Sequence, residues 1–235
     1  MKIEIETGSE LGSDIHNKGA SLREEDKHLD ALGYLTLSLF FLQQEGNYSE
    51  LVDALKDRCL TWKHLFLTLK DKSYSILARK DAESMLAITE EFNLIDRYHT
   101  SYFRLGEIDM LDEDYPNAIK NYQKALETYT GTLSEKGDYR YHLGEAKYRK
   151  GDKKEGKGLI LKGLEEIRKG AKELDPFLIH VWESGVHMRL AELLRKDEPK
   201  ESKLHLQKAQ EIANSDEKLV IRRRQIKELT KKLNF

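Results

Sequence analysis

Few residues in this chain are equipped for chemistry. His180, Glu183 and His187 fall at steps of three and four, which places them on one face of a helix. Imidazole and carboxylate are both zinc ligands, but the two histidines lie two full turns apart, too far for an ordinary pair on one ion. The spacing reads as structural, and no metal or cofactor is expected. Cys59 is the only cysteine, which excludes an intramolecular disulfide and a cysteine zinc site and fits a reducing cytoplasm. The acidic runs "EE" and "DED" fall in turns and helix starts, where the helix dipole favours them. No nucleophile elbow, glycine-rich phosphate loop or zinc-enzyme signature occurs. A protein that is not an enzyme is expected.

Composition points the same way. Of 235 residues, 39% are hydrophobic and 35% charged, and three prolines leave few forced helix stops. An all-helical soluble protein is expected. The net charge of −2 gives no global field for nucleic acid, so nucleic acid is not the expected partner. Residues 1–30 carry eight acidic and four basic side chains, and residues 216–235 seven basic and three acidic. The start, "MKIEIETGSE", has no apolar signal core. The longest apolar stretch, "LGYLTLSLFFL" (32–42), is about half a membrane span. A cytoplasmic protein with no membrane partner is expected.

These residues need elements to position them. Residues 1–20 alternate briefly at Ile3 and Ile5 and then run through Gly, Ser, Asp and Asn, which reads as an N-terminal arm, loose or a short strand. Ser21 with Glu24 forms a capping box, followed by Leu32, Leu35, Leu39 and Leu42 at helical steps. "GNY" (46–48), "LDEDYPN" (111–117), "RKGDKKE" (149–155), Asp175–Pro176 and "RKDEP" (195–199) read as turns or helix starts. Glu113 and Gly151 are 38 residues apart, and Gly46 lies 67 before Glu113, close to two units of about 34. That halving predicts a worn turn at 79–86, around Lys80 and Asp81. A basic amphipathic helix over 216–235, with Val220, Ile221, Leu229 and Leu233 inward, reads as a polar cap, with contact to nucleic acid or an acidic membrane as the alternative.

"YFRLGEIDMLDEDYPNAIKNYQKALETY" (102–129) resembles the tetratricopeptide repeat, a helix-turn-helix unit of about 34 residues. Tyr102 stands at the family's Trp. Leu105 and Gly106 match its Leu-Gly pair, and Ala118, Tyr122 and Ala125 match its small, aromatic and small positions. Asp109 and Thr130 depart from the pattern. Fainter copies occur at 139–164, where glycines replace alanines and predict a softer unit, and at 187–212, 35–58 and 66–95. The resemblance implies an all-α, right-handed α-solenoid of stacked antiparallel helix pairs, about ten helices, over 21–215 with its best repeats in 99–165.

The resemblance also implies a role: a non-catalytic adaptor binding a peptide or protein segment in the concave groove of first helices. Carried over by register, the groove would be lined by Phe103, Glu107, Met110, Tyr141, Glu145, Tyr148, Met188, Glu192 and Arg195. A glutamate row over an apolar floor suits a ligand with basic and apolar side chains. The same residues permit internal neutralisation, because Arg104–Glu107, Glu145–Arg149 and Glu192–Lys196 have ion-pair spacing. The family's two-carboxylate clamp is missing at the corresponding positions. An alternative is a peptide-responsive regulator similar to bacterial cytoplasmic sensors built from these repeats.

Overall fold

Turns with a left-handed residue cut much of the chain into helices. Asp26, Gly46, Lys70, Asn93, Glu113 and Gly151 all have positive φ. Capping side chains start several of the helices that follow: Asn47 accepts from Glu50 N, Asp71 from Ser73 N, Asp114 from Asn117 N and Asp175 from Phe177 N. Pro116, Pro176 and Pro199 occupy first turns, where a missing N–H costs nothing.

A computed structural model describes residues 11–233. The described residues form eleven α-helices, two short 3₁₀ turns and no strand. The α-helices are α1 (Leu11–Glu24), α2 (His28–Gln44), α3 (Tyr48–Leu69), α4 (Lys72–Glu91), α5 (Tyr98–Leu111) and α6 (Tyr115–Thr128). Then follow α7 (Leu133–Lys150), α8 (Lys153–Lys169), α9 (Pro176–Leu194), α10 (Pro199–Ser215) and α11 (Val220–Leu233). Contacts divide the chain into two units, Met1–Tyr129 and Thr130–Phe235. In the first, α1–α2, α3–α4 and α5–α6 form close pairs; in the second, α7–α8 and α9–α10 do, and α11 packs on α9 and α10. The pairs are antiparallel. Gly12 meets Leu42 and Gly19 meets Leu35. Arg58 meets Asp81, and Ser202 donates to the Ala191 carbonyl.

Four sequence expectations change. Residues 11–20, assigned to a loose arm, begin α1; the alternation at Ile3 and Ile5 lies outside the described residues. Gly12 and Gly19 had suggested a loop, but they are contact points, where an added Cβ would come within 2.8 Å of Leu42 and 2.7 Å of Leu35. Ser21 lies inside α1, and the next helix starts at His28. The worn turn at 79–86 is the middle of α4, because α3 and α4 have 22 and 20 residues, longer than a 34-residue period allows. For the same reason the copy at 35–58 straddles two pairs, and the Gly46 turn joins pairs rather than closing one.

In the glycine-rich copy the glycines are contact points. A Cβ on Gly137 would sit 2.5 Å from the Gly163 carbonyl oxygen, and one on Gly144 2.7 Å from that of Gly156. The backbones of α7 and α8 touch, so the glycines that cost helix propensity are what permit this packing. In α5–α6 a ring does the same work: Gly106 lies against buried Tyr122, flanked by buried Ala118 and Ala125.

Candidate protein-interaction face

Within each unit, the first helix of one pair touches the first helix of the next. In the first unit α3 contacts both α1 and α5, and in the second α9 contacts both α7 and α11. Each unit therefore carries a face built from first helices. Charged side chains bridge these helices.

In the second unit the bridges form one lattice. Glu145 on α7 takes Arg149 Nε at 2.9 Å and Arg189 Nε at 3.1 Å. Glu192 on α9 takes Arg149 Nη2 at 3.0 Å, Arg189 Nη1 at 3.4 Å and Lys232 Nζ at 2.8 Å from α11. Burial alone would raise both carboxyls. The neighbouring cations outweigh it, lowering Glu145 and bringing Glu192 down to about 2. Gly185 on α9 leaves room for Tyr141 of α7 and Arg222 of α11, whose Nη2 donates to the Val181 carbonyl at 3.0 Å.

In the first unit, Glu107 is buried between Lys63 of α3 and Arg104 of its own helix. Further along, Asp57 of α3 accepts from His16 at 2.9 Å and Arg23 at 2.9 Å, tying α1 down. Burial alone would lower His16, but its bonds to Asp57 and Glu50 raise it. An open polar cavity of about 470 Å³ adjoins this cluster, lined by His16, Glu50, Asp53, Lys56 and Arg97 among others.

The sequence-derived groove residues divide into three kinds. Phe103, Tyr141, Tyr148 and Met188 are buried core residues rather than a groove floor. Phe103 packs on Tyr122, and Tyr148 donates to the Leu193 carbonyl. Glu107, Glu145 and Glu192 are ion-paired anchors, not a bare acidic row. The pairs Arg104–Glu107 and Glu145–Arg149 form as spaced, whereas Glu192 pairs with Arg189, Arg149 and Lys232 instead of Lys196. Met110 is half-buried and Arg195 exposed. Sequence spacing exposed the intrahelical pairs but missed Lys63 and Lys232, which arrive from other helices and have no local signature.

The histidine set is dispersed. His180 pairs with Asp216 at 2.9 Å, and Glu183 with Arg168. His187 joins α9 to α10, its Nδ1 lying 2.8 Å from His205 Nδ1. Arg168 Nη2, 3.3 Å from His187 Nε2, can only donate, so the His187 proton sits on Nδ1 and is given to His205. His205 then presents its Nε2–H toward Glu201 at 3.6 Å. Burial, then the adjoining His205, holds His187 down at about 3. No cluster of three or more metal-ligating side chains occurs among the described residues. The basic tail is partly spent on structure, since Arg223 donates to the carbonyls of Ala213, Asp216 and Glu217 beyond and within the end of α10.

Stacked antiparallel helix pairs of this kind define a helical-repeat protein. The SHNi-TPR family profile matches residues 102–133, the α5–α6 pair and the start of α7. Among solved structures, the chain is similar to the nearly identical TPR-like repeats assigned to a kinesin light chain of Podosopora anserina. That match has a TM-score of 0.55 at 12% identity and covers 87% of this chain and 96% of that one. A variant of the same protein matches at a TM-score of 0.56 and 12% identity, covering 86% and 94%. The APC/C hetero-tetramer Cut9–Hcn1 matches at a TM-score of 0.46 and 16% identity, covering 93% of this chain and 42% of that one. No curated protein matches. The described residues thus share the fold of TPR-like helix repeats, with the family profile falling on one of the helix pairs. No described helix is long and apolar enough to cross a membrane.

Proposed function

We propose that this chain is a non-catalytic cytoplasmic adaptor that holds a peptide or protein segment against its first helices. One observation carries the reading. The first helices touch one another within each unit, and their shared faces are lined with charged side chains bridged across helices. Held charges of this kind lose little side-chain freedom when a partner docks, which favours binding over solvation alone.

Reversing Glu107, Glu145 and Glu192 together would be a poor probe, since two of them are buried and their loss would disturb the fold. Hydrogen exchange on the full chain, with and without a bound partner, tests the reading directly. Added protection in α3, α5, α7 and α9 is expected. Protection confined to α4, α6, α8 and α10 would refute it.

A further inference from the structure

Resting on that adaptor reading, we propose that the α7–α9–α11 face of the second unit takes an acidic peptide segment. The charges of this face are layered. Its carboxylates lie beneath, with side-chain exposures of 5% for Glu145 and 19% for Glu192. Its cations lie above, at 27% for Arg149, 30% for Arg189 and 67% for Lys232. Three cations, Arg149, Arg189 and Lys232, lie over the two carboxylates. The valences left over are donors. Arg149 spends Nε on Glu145 and Nη2 on Glu192, which leaves Nη1. Lys232 spends one ammonium proton on Glu192.

A basic ligand would have to draw the glutamates away from their own arginines, leaving partly buried guanidinium groups unpaired. An acidic ligand adds a carboxylate to cations already held in place and disturbs no existing pair. Asp138, the other acid of α7 packed near Tyr141, is also buried and adds no exposed negative charge. Nucleic acid fits less well. A phosphate chain needs a run of uncommitted cations, and each cation here already has a carboxylate in a chain of net charge −2.

The test uses the full chain and fluorescently labelled probes of equal length: a Glu-Leu alternating peptide, a Lys-Leu alternating peptide and a short DNA duplex. The acidic peptide should bind, with affinity that falls as salt rises. Lys232→Glu should weaken it about fivefold, the effect of an exposed charge pair, and Lys232→Gln by less. Lys162→Glu, on the exposed side of α8, should leave it unchanged. Circular dichroism checks that each variant folds. Preferred binding of the basic peptide or of DNA would overturn the acidic assignment, in the peptide case leaving the adaptor reading intact. Acidic binding indifferent to Lys232→Glu would also overturn it. No peptide of either sign binding would take the adaptor reading down with it.

Discussion

Two glycines fourteen residues apart should answer the same substitution with opposite signs. Gly144 of α7 and Gly158 of α8 are both helix-interior residues. Alanine gains about 1 kcal/mol of helix propensity over glycine at such a position. At Gly158 nothing lies within 4 Å of the added Cβ, so Gly158→Ala should stabilise by about that amount. At Gly144 the same carbon would come within 2.7 Å of the Gly156 carbonyl oxygen and of Ile160 N, both backbone atoms. Neither can rotate away, so α7 and α8 must part by most of an ångström. Overpacking of this sort costs about 1–3 kcal/mol. Because fully buried Ile160 and Ile167 would lose contact as well, the upper part of that range applies, leaving Gly144→Ala less stable by about 1–2 kcal/mol net. Urea denaturation followed by circular dichroism reads the contrast as midpoints moved in opposite directions. If Gly144→Ala stabilised as much as Gly158→Ala, the backbones of α7 and α8 would not be in contact, and the account of the glycine-rich pair would be wrong.

Other consequences follow from the ionic and polar contacts. His187 stays neutral in the fold down to about pH 3, while an unfolded histidine charges below about 6.5. Its effect is absent above pH 6.5, and stability should fall by about 1.4 kcal/mol per unit as pH drops below that toward 3; thermal melts of His187→Gln should show a flatter slope, and an unchanged slope would reject the buried-pair assignment. Glu192, held near 2, contributes stability that is present above about pH 4.5 and lost as pH falls through 2, so Glu192→Gln should lose less between those limits. Glu145→Gln leaves Arg149 and Arg189 short of a buried partner and should cost about 3 kcal/mol of unfolding free energy in urea denaturation; a loss within error would mean the lattice is only a surface arrangement. Arg223→Ala removes donors from three carbonyls around the end of α10 and should cost about 1–2 kcal/mol, read as a lower melting temperature, with no change counting against the capping role.

Helix starts were legible in the sequence at the break over 46–48, at Pro116 and at Asp175–Pro176, while the caps Asn47 and Asp114 were not singled out. Pair identity was legible in α5–α6, where Gly106, Ala118, Tyr122 and Ala125 spell out a packing pattern. It failed in α3–α4 for a physical reason. Those helices outgrow the 34-residue period, and Asp81, which looked like a turn residue, is a buried partner of Arg58. The N-terminal arm failed because Gly12 and Gly19 read as flexibility when considered singly. They mark a helix surface only when Leu35 and Leu42 of α2 are set opposite. The glutamate positions were found, but their state was not, because Lys63 and Lys232 stand 44 and 40 residues away along the chain.

The two kinds of contact in this fold answer two different demands. Within a pair, helices meet through small residues or a single ring: Gly12 and Gly19 against leucines, Gly106 against Tyr122, Gly144 against Gly156. These contact points have no side chain to spare for a ligand, although Arg58–Asp81 and Arg140–Glu166 add ion pairs within α3–α4 and α7–α8. Between successive first helices, contacts are made by long charged side chains, as in Lys63–Glu107, Arg189–Glu145 and Lys232–Glu192. A salt bridge is a weak choice for stability alone, since well-packed apolar groups of similar volume often do as well or better. Placing it along the first-helix face instead of Leu or Ile sacrifices little and leaves a polar surface that need not be buried. Charges committed to neighbouring helices also fix the side chains that a partner would meet. The same lattice that holds α7, α9 and α11 together therefore presents the Arg149, Arg189 and Lys232 donors in a set geometry.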